Sequence, residues 1–372
     1  LKHVWFKPHG RWCCMVADAP SAWPPSPWWQ QVETASARYR AFVDNFPVTQ
    51  PAYQAKVLPS FLLRFDWVLT EPAPPGIQFP GHRRCHDPKT VFALPSALGE
   101  LLRLASDGFD PARRDRLVVF AADDTPLSRT LGLGQGRDPA AEGVLGTLRR
   151  FFCEIFYEAA DVPIDGIRVM PIGLAEFYLS RGVAANASAA IVGTSLASKS
   201  RMALAAWNAY WSLSNPSRRE ARRFSKSRAA RDAGVELGIV ERRAWWSTLS
   251  GFKFLLIPMG SRIQCVKIIE ALLVLTIPVV QRGWYRWGLD DDGVETLLFW
   301  QKHGAEGTYS AHDGLVDLGF PIVVVDHWAE VTRGNLTRWW HELAPRLESF
   351  RRNCLTSEGY WRMTTGQLRR CE

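Results

Sequence analysis

A tight turn, Met259-Gly260-Ser261, directly follows an apolar run from Phe252 to Pro258. A run of that length reads as a buried strand, and a Gly turn behind it as the strand's end. Apolar side chains recur at Ile263, Val266, Ile269, Leu272 and Leu273, spacings that predict one buried face of a short helix starting at Ile263. The run Ile277 to Val280 predicts a second strand. Strand, turn, helix and strand make one βαβ unit with a right-handed crossover and a parallel sheet. Such a unit offers an anion, above all a phosphate, the backbone N–H groups of the turn and the positive end of the helix dipole. Glu270 follows Lys267 by three residues, which reads as an exposed or Lys267-paired helix carboxylate, although the surrounding Ile-Ile-Glu-Ala-Leu-Leu makes exposure less natural.

The elements that must position this unit extend over 372 residues, a length suited to two domains of about 150–200 residues each. Hydrophobic residues at 47% and charged residues at 22% are those of a folded globular chain. The net charge of +8 favours anionic partners without choosing among them. Seven cysteines, Cys13, Cys14, Cys85, Cys153, Cys265, Cys354 and Cys371, include no CxxC pair, so a thiolate metal site is not expected. Their odd number leaves the redox compartment open. Asn186-Ala-Ser188 and Asn335-Leu-Thr337 are sequons, acceptors for glycosylation if the chain enters a secretory lumen. The chain opens on Leu1, which leaves room for an upstream signal or membrane anchor. The most apolar stretch, Val266 to Val280, is too short and too charged to span a bilayer.

Along the chain, a Trp- and Pro-rich arm occupies roughly the first thirty residues. Phe65–Thr70, Leu117–Ala121 and Ile167–Pro171 read as strands, and Pro95–Ser106 and Leu148–Ala160 as amphipathic helices. Gly132 to Gly136 lacks the spacing of a dinucleotide loop and reads as a surface loop. The boundaries expected are an N-terminal α/β domain over 1–182 and an Ala- and Ser-rich linker over 183–200. A second α/β domain over 201–345 and a tail over 346–372 follow. Met202–Trp207 opens the second domain. A capped helix follows from about Arg218 with Arg219, Arg222, Arg223, Lys226, Arg228 and Arg231 along it, either a solvated basic face or an anion-facing surface. Phe320–Asp326 is the last strand, and a helix from about Asn335 to Cys354 follows it.

The order PMGSRIQCVKIIEALLVLTIPVV followed by FPIVVVDHWAEVT resembles the C-terminal domain of exostosin-like glycosyltransferases and their algal and plant relatives. Pro258, Gly260, Lys267, Glu270, Ala271, Leu272, Pro278, Trp328 and Thr332 occupy the matching places. Trp207-Asn208 with Asn215-Pro216-Ser217-Arg218-Arg219, and upstream Pro171-Ile172-Gly173-Leu174, look like further family segments. The match spans roughly residues 165–345. The resemblance implies a GT-B architecture, two Rossmann-like domains facing across a cleft. It also implies donor contacts from Asn208, Arg219, Gly260, Ser261, Arg262, Gln264, Lys267 and Glu270. In that picture Gly260 and Ser261 let the backbone approach the pyrophosphate, Arg262 or Lys267 offsets its charge, and Glu270 accepts from the ribose hydroxyls. Family members often read Gly-Asn-Gly then Asp before the helix and Arg within it. Here the chain has Gly260-Ser261-Arg262, Gln264 and Lys267, chemically distinct groups.

The implied activity is metal-independent, inverting transfer of a sugar from a nucleotide-sugar to a glycan or glycoprotein, in a Golgi or ER lumen and with no further cofactor. Helix dipole and basic side chains would neutralise the leaving diphosphate. Such a reaction needs a base near the acceptor hydroxyl. Asp123, Asp124 and Glu158, at the exits of first-domain strands, are the candidates, with His86 beside them; His327 is placed where a cleft should be. Asp123-Asp124 reads alternatively as an ordinary strand-to-turn exit, and Asp290-Asp291-Asp292 as a solvated turn. Two other readings stand: a non-catalytic member of the fold that binds a glycan or a partner transferase, and nucleic-acid binding through the Arg218–Arg231 segment, for which no recognised module is present.

Overall fold

The structure, a computed structural model, describes residues 45–50, 59–74, 79–123, 125–133, 139–175, 183–207, 216–260, 263–289, 295–300 and 311–371. It is a mixed α/β protein built on parallel-dominated sheets. The first part runs β1 (Val48–Gln50), β2 (Trp67–Leu69), β3 (His82–Arg83), β4 (Thr90–Ala93), α1 (Leu98–Gly108) and β5 (Leu117–Phe120). It continues with a single turn α2 (Leu127–Thr130), α3 (Pro139–Phe151), β6 (Glu154–Tyr157), β7 (Ile167–Val169) and β8 (Leu174–Ala175). Six strands form a sheet in the order β3-β2-β4-β5-β6-β7, parallel except for the edge strand β3. Val91, Phe92, Val118 and Val119 have no exposed surface, as expected of strands covered on both faces. Helix α1 covers one face with Leu98, Leu101 and Ala105, spaced three and four apart to form one apolar stripe. β1 and β8 pair separately, in parallel.

The second part runs α4 (Val183–Gly193), β9 (Arg201–Ala206), α5 (Pro216–Ser225), α6 (Arg228–Ala233), β10 (Val235–Gly238), α7 (Trp245–Ser250), β11 (Phe252–Ile257), α8 (Lys267–Leu273) and β12 (Ile277–Gln281). A hairpin of β13 (Trp284–Leu289) and β14 (Glu295–Trp300) follows, then α9 (Ala311–Asp317), β15 (Val323–Val325), α10 (Arg333–Cys354) and α11 (Ser357–Thr364). Five strands make an all-parallel sheet in the order β10-β9-β11-β12-β15. Counted along the chain this is 2-1-3-4-5, the doubly wound order whose connections reverse direction between the first and third strands.

Two sequence expectations are corrected here, and a third segment gains its local structure. Leu148–Ala160 is not one helix: α3 ends at Phe151, and Glu154–Tyr157 is strand β6. The short aromatic run is compatible with either period, and pairing with β5 at four positions decides it. Within residues 183–200, expected as a linker, Val183–Gly193 form helix α4, in keeping with alanine's high helix propensity. The basic segment after Pro216 is two helices, broken at Ser227, whose side chain accepts from Ala230 N at 3.1 Å as the N-cap of α6.

The two sheets are joined by polar and aromatic contacts of long sequence separation. Gln264, from the loop after β11, is 2% exposed. Its Nε2 donates to Glu158 O at 2.7 Å and Met170 O at 2.8 Å, and its Oε1 accepts from Ile172 N at 2.9 Å. These partners lie at the carboxyl ends of β6 and β7. Helix α11 returns the C-terminus to the first sheet, where Tyr360 donates to Ile172 O at 2.7 Å and Trp361 lies edge-on to Phe61 and Phe65. Cys354 and Cys371 are bridged, with Cα atoms 6.2 Å apart.

Lys199 is buried at the amino end of the second sheet, donating to Val274 O and to Thr276 Oγ1. Burial, assisted by the charge of Arg351, pushes its pKa down from 10.5 to about 7.

Gln264→Glu should lower stability by about 3 kcal/mol or more in urea denaturation, because a carboxylate donates to neither carbonyl and is itself buried. For Lys199 the unfolded chain binds the extra proton between pH 7 and pH 10.5. Stability should therefore rise with pH across that window, by roughly 3–5 kcal/mol, and the isosteric Lys199→Met should abolish the slope.

Candidate functional site

In an open doubly wound sheet, the connections leaving the first and third strands diverge to opposite faces, opening a crevice beyond their carboxyl ends. Here those strands are β9 and β11. β9 ends at Ala206; β11 is followed by Pro258, Met259 and Gly260, all buried. Lys267, the first residue of α8, spans the gap: its Nζ donates to Ala206 O at 2.9 Å and lies 4.4 Å from the centre of the Trp245 ring. On the other side, Met259 N donates to Ser217 Oγ at 3.1 Å, which ties the first turn of α5 to the exit of β11. The switch point is thus bordered by a buried glycine, a half-buried ammonium and the start of a basic helix.

Glu270 lies one turn beyond Lys267 on α8 and is 5% exposed, as its apolar sequence context suggests, so it is not a solvated surface carboxylate. Its Oε2 accepts from Trp245 Nε1 at 2.7 Å. Burial raises its pKa; the charge of Lys267, the Trp245 hydrogen bond and the charge of Arg242 pull the other way. A cation, an indole and a carboxylate are therefore preassembled beside the crevice.

The helix starts later than its apolar spacing predicts. Ile263 is 2% exposed, but α8 begins at Lys267, because the intervening chain carries Gln264 to its three partners near the first sheet. Gln264 thus serves as a cross-link, with both amide hydrogens committed to carbonyls. Arg219 is an exposed residue of α5. Asn208, Ser261, Arg262, Asp124, Asp290-Asp291-Asp292 and residues 134–138 of the Gly loop lie outside the described residues.

The second group lies at the carboxyl end of β5 and β6. Beyond β5, Ala122 adopts a left-handed φ of 65°, costly for a residue with a side chain. Its N–H donates to Glu158 Oε2 at 3.1 Å, while Gln50 Nε2 donates to Glu158 Oε1 at 2.9 Å. Asp123, 2% exposed, accepts on Oδ1 from Thr125 N at 3.1 Å and Thr125 Oγ1 at 2.8 Å. Its Oδ2 is buried without a hydrogen-bond partner. Tyr157 donates to Thr125 O at 2.8 Å and has Thr130 Oγ1 at 2.6 Å. Burial drives its phenol pKa well up; Thr130 opposes this, and Asp123, Asp161 and Glu158 add to it. Asp161, held by Ser128 N at 2.9 Å, also has its pKa raised by burial. Both Glu158 oxygens are engaged, whereas Asp123 retains a free lone pair for an incoming proton.

His86 is exposed and precedes β4, at the amino edge of the first sheet, so it does not join Asp123 and Glu158. His327 is exposed beyond β15 and caps the turn Trp328–Glu330. Among the described residues no group of three or more His, Cys, Asp and Glu could hold a metal ion, and no helix is long and apolar enough to cross a membrane.

Gln50, Tyr157, Asp161 and Trp245 are absent from the sequence-derived candidates. Gln50 and Tyr157 are polar residues of buried strands, Asp161 follows β6 and Trp245 opens a helix, but their partners stand tens of residues away. No protein-family model and no curated protein matches the chain.

Glu270→Gln keeps an acceptor for Trp245 and removes the buried charge. Because the folded-state pKa of Glu270 is raised, ionisation destabilises the native protein as pH climbs above 4.5. The variant's stability relative to the parent should therefore improve from pH 4 to pH 7 in paired urea denaturations; a flat difference would place the charge in water.

Proposed function

We propose that the protein is a glycosyltransferase that uses a nucleotide-sugar donor, with the diphosphate held at the crevice between β9 and β11. The observation that carries the reading is Lys267. Its ammonium stands at the switch point of a doubly wound sheet, bonded to the last carbonyl of β9, where a parallel α/β sheet accepts a ligand. An ammonium has three donors, and the one bond to Ala206 O leaves Lys267 able to meet a phosphate oxygen. The resemblance to exostosin-like enzymes supplies the substrate class and the GT-B arrangement of two Rossmann-like domains about a cleft.

In this reading the acceptor hydroxyl approaches the carboxyl end of the six-stranded sheet. Asp123 takes its proton on Oδ2, the partnerless oxygen. Glu158 holds the Ala122 backbone in place through its hydrogen bond. Lys267 and the basic first turn of α5 offset the charge of the departing diphosphate, in the manner of metal-independent transfer. Golgi or ER lumen is the location that goes with this activity, and a glycan or glycoprotein is the acceptor.

A second reading, a non-catalytic member of the same fold that binds a glycan or a partner transferase, is favoured by one set of contacts. Gln264, Glu158 and Glu270 all spend hydrogen-bonding capacity on the protein itself. Calorimetric titration with UDP, GDP and their sugar conjugates separates the two. The enzyme reading expects binding of at least one nucleotide, weakened about tenfold or more in Lys267→Met, and slow donor hydrolysis lost in Asp123→Asn. Absence of heat with every nucleotide would leave the binding module standing instead.

A further inference from the structure

We propose that Asn186 is an N-glycosylation site and that Asn335, the other sequon asparagine, is not. Two observations outside the candidate site carry this. Cys354 and Cys371 are bridged and buried, at 0% and 1% exposure; a buried pair of this kind forms and persists where thiols are oxidised, by transfer of two electrons to a disulfide-bearing oxidoreductase. The same lumenal environment is where an Asn-x-Ser or Asn-x-Thr triplet becomes a substrate.

The fold then discriminates between the triplets. Asn186 projects into solvent from helix α4, and its Nδ2 makes only a long contact of 3.4 Å to Arg243 O. Asn335 is half-buried at the start of α10. Its Nδ2 donates to Glu330 O at 2.7 Å and its backbone N to Thr332 Oγ1 at 3.2 Å, in the turn that caps the helix. A glycan on Asn186 leaves the helix undisturbed, whereas one on Asn335 must be accommodated inside a cap.

The reaction balances without a redox partner. The C1–O bond of a lipid-diphosphate-linked oligosaccharide breaks and a C1–Nδ2 bond forms. The amide proton passes to a base of the transferring enzyme, and the lipid diphosphate leaves. The Arg243 contact sets Asn186 beside the turn that precedes Trp245.

The test is peptide mapping of the protein isolated from its own cells, treated with a peptide N-glycosidase in heavy-oxygen water. The expected result is isotope-labelled Asp at position 186, unlabelled Asn335, and alkylation-resistant Cys354 and Cys371 until reduction. Labelling at 335, no labelling at 186, or free thiols at 354 and 371 would each overturn the proposal. In a eukaryotic secretory host, Asn186→Gln should lose the glycan mass and Asn335→Gln should keep it; the reverse pattern refutes the assignment even if one variant folds poorly.

Discussion

Three hydrogen bonds from one amide organise this molecule. Gln264 gives two protons to carbonyls at the ends of β6 and β7 and takes one from Ile172. All three groups are backbone atoms beyond strand ends, where the ladder of the sheet no longer supplies partners, and buried backbone groups without partners are costly. A side-chain amide is suited to the place, because it carries donors and an acceptor on one rigid plane. The same bonds hold the loop between β11 and α8 against the first sheet, so the position of Lys267 depends on them. The Gln264 cross-link therefore couples the carboxyl ends of both sheets, where the two groups of candidate functional residues lie.

A second constraint is the treatment of buried charge along α8. The helix has seven residues, too short to be stable without tertiary support. Lys199 donates to Val274 O and Arg351 to Leu273 O at 3.1 Å, so two basic side chains satisfy the carbonyls at its end. At its other end, Lys267 satisfies the last carbonyl of β9, that of Ala206. Glu270 sits between, its ionised form disfavoured by burial and favoured by neighbouring cations. His312, in α9, follows the same logic: burial pushes its pKa down to about 4, so it enters the fold uncharged at neutral pH.

The parts of the fold legible in the sequence were those where the chain is hydrophobic without interruption. β2, β5, β11 and β15 lie within runs that read as strands, and β9 and β12 overlap such runs in all but one residue, since burial on both faces leaves a largely apolar signature. Strand β6 was hidden because Glu154–Tyr157 directly follows a helix and its aromatic residues fit either period. Helix α4 was hidden because alanine and serine are also common in loops. Of the candidate site, Gly260, Lys267, Glu270, Asp123 and Glu158 were visible as strand-end or helix-start residues. Their hydrogen bonding was not, because Gln50 and Glu158 are 108 positions apart and no local pattern relates them.

By itself the sequence determined an α/β chain with parallel strands and a turn-helix unit after Phe252–Ile257, because periodicity and turn chemistry are local properties. Only the tertiary structure decided what the polar residues of that unit do. Gln264 became a cross-link, Glu270 a buried acceptor for Trp245, and Lys267 the ammonium at the crevice. The reason is that a polar side chain's role follows from the partners it meets after burial, and those partners are set by long-range packing.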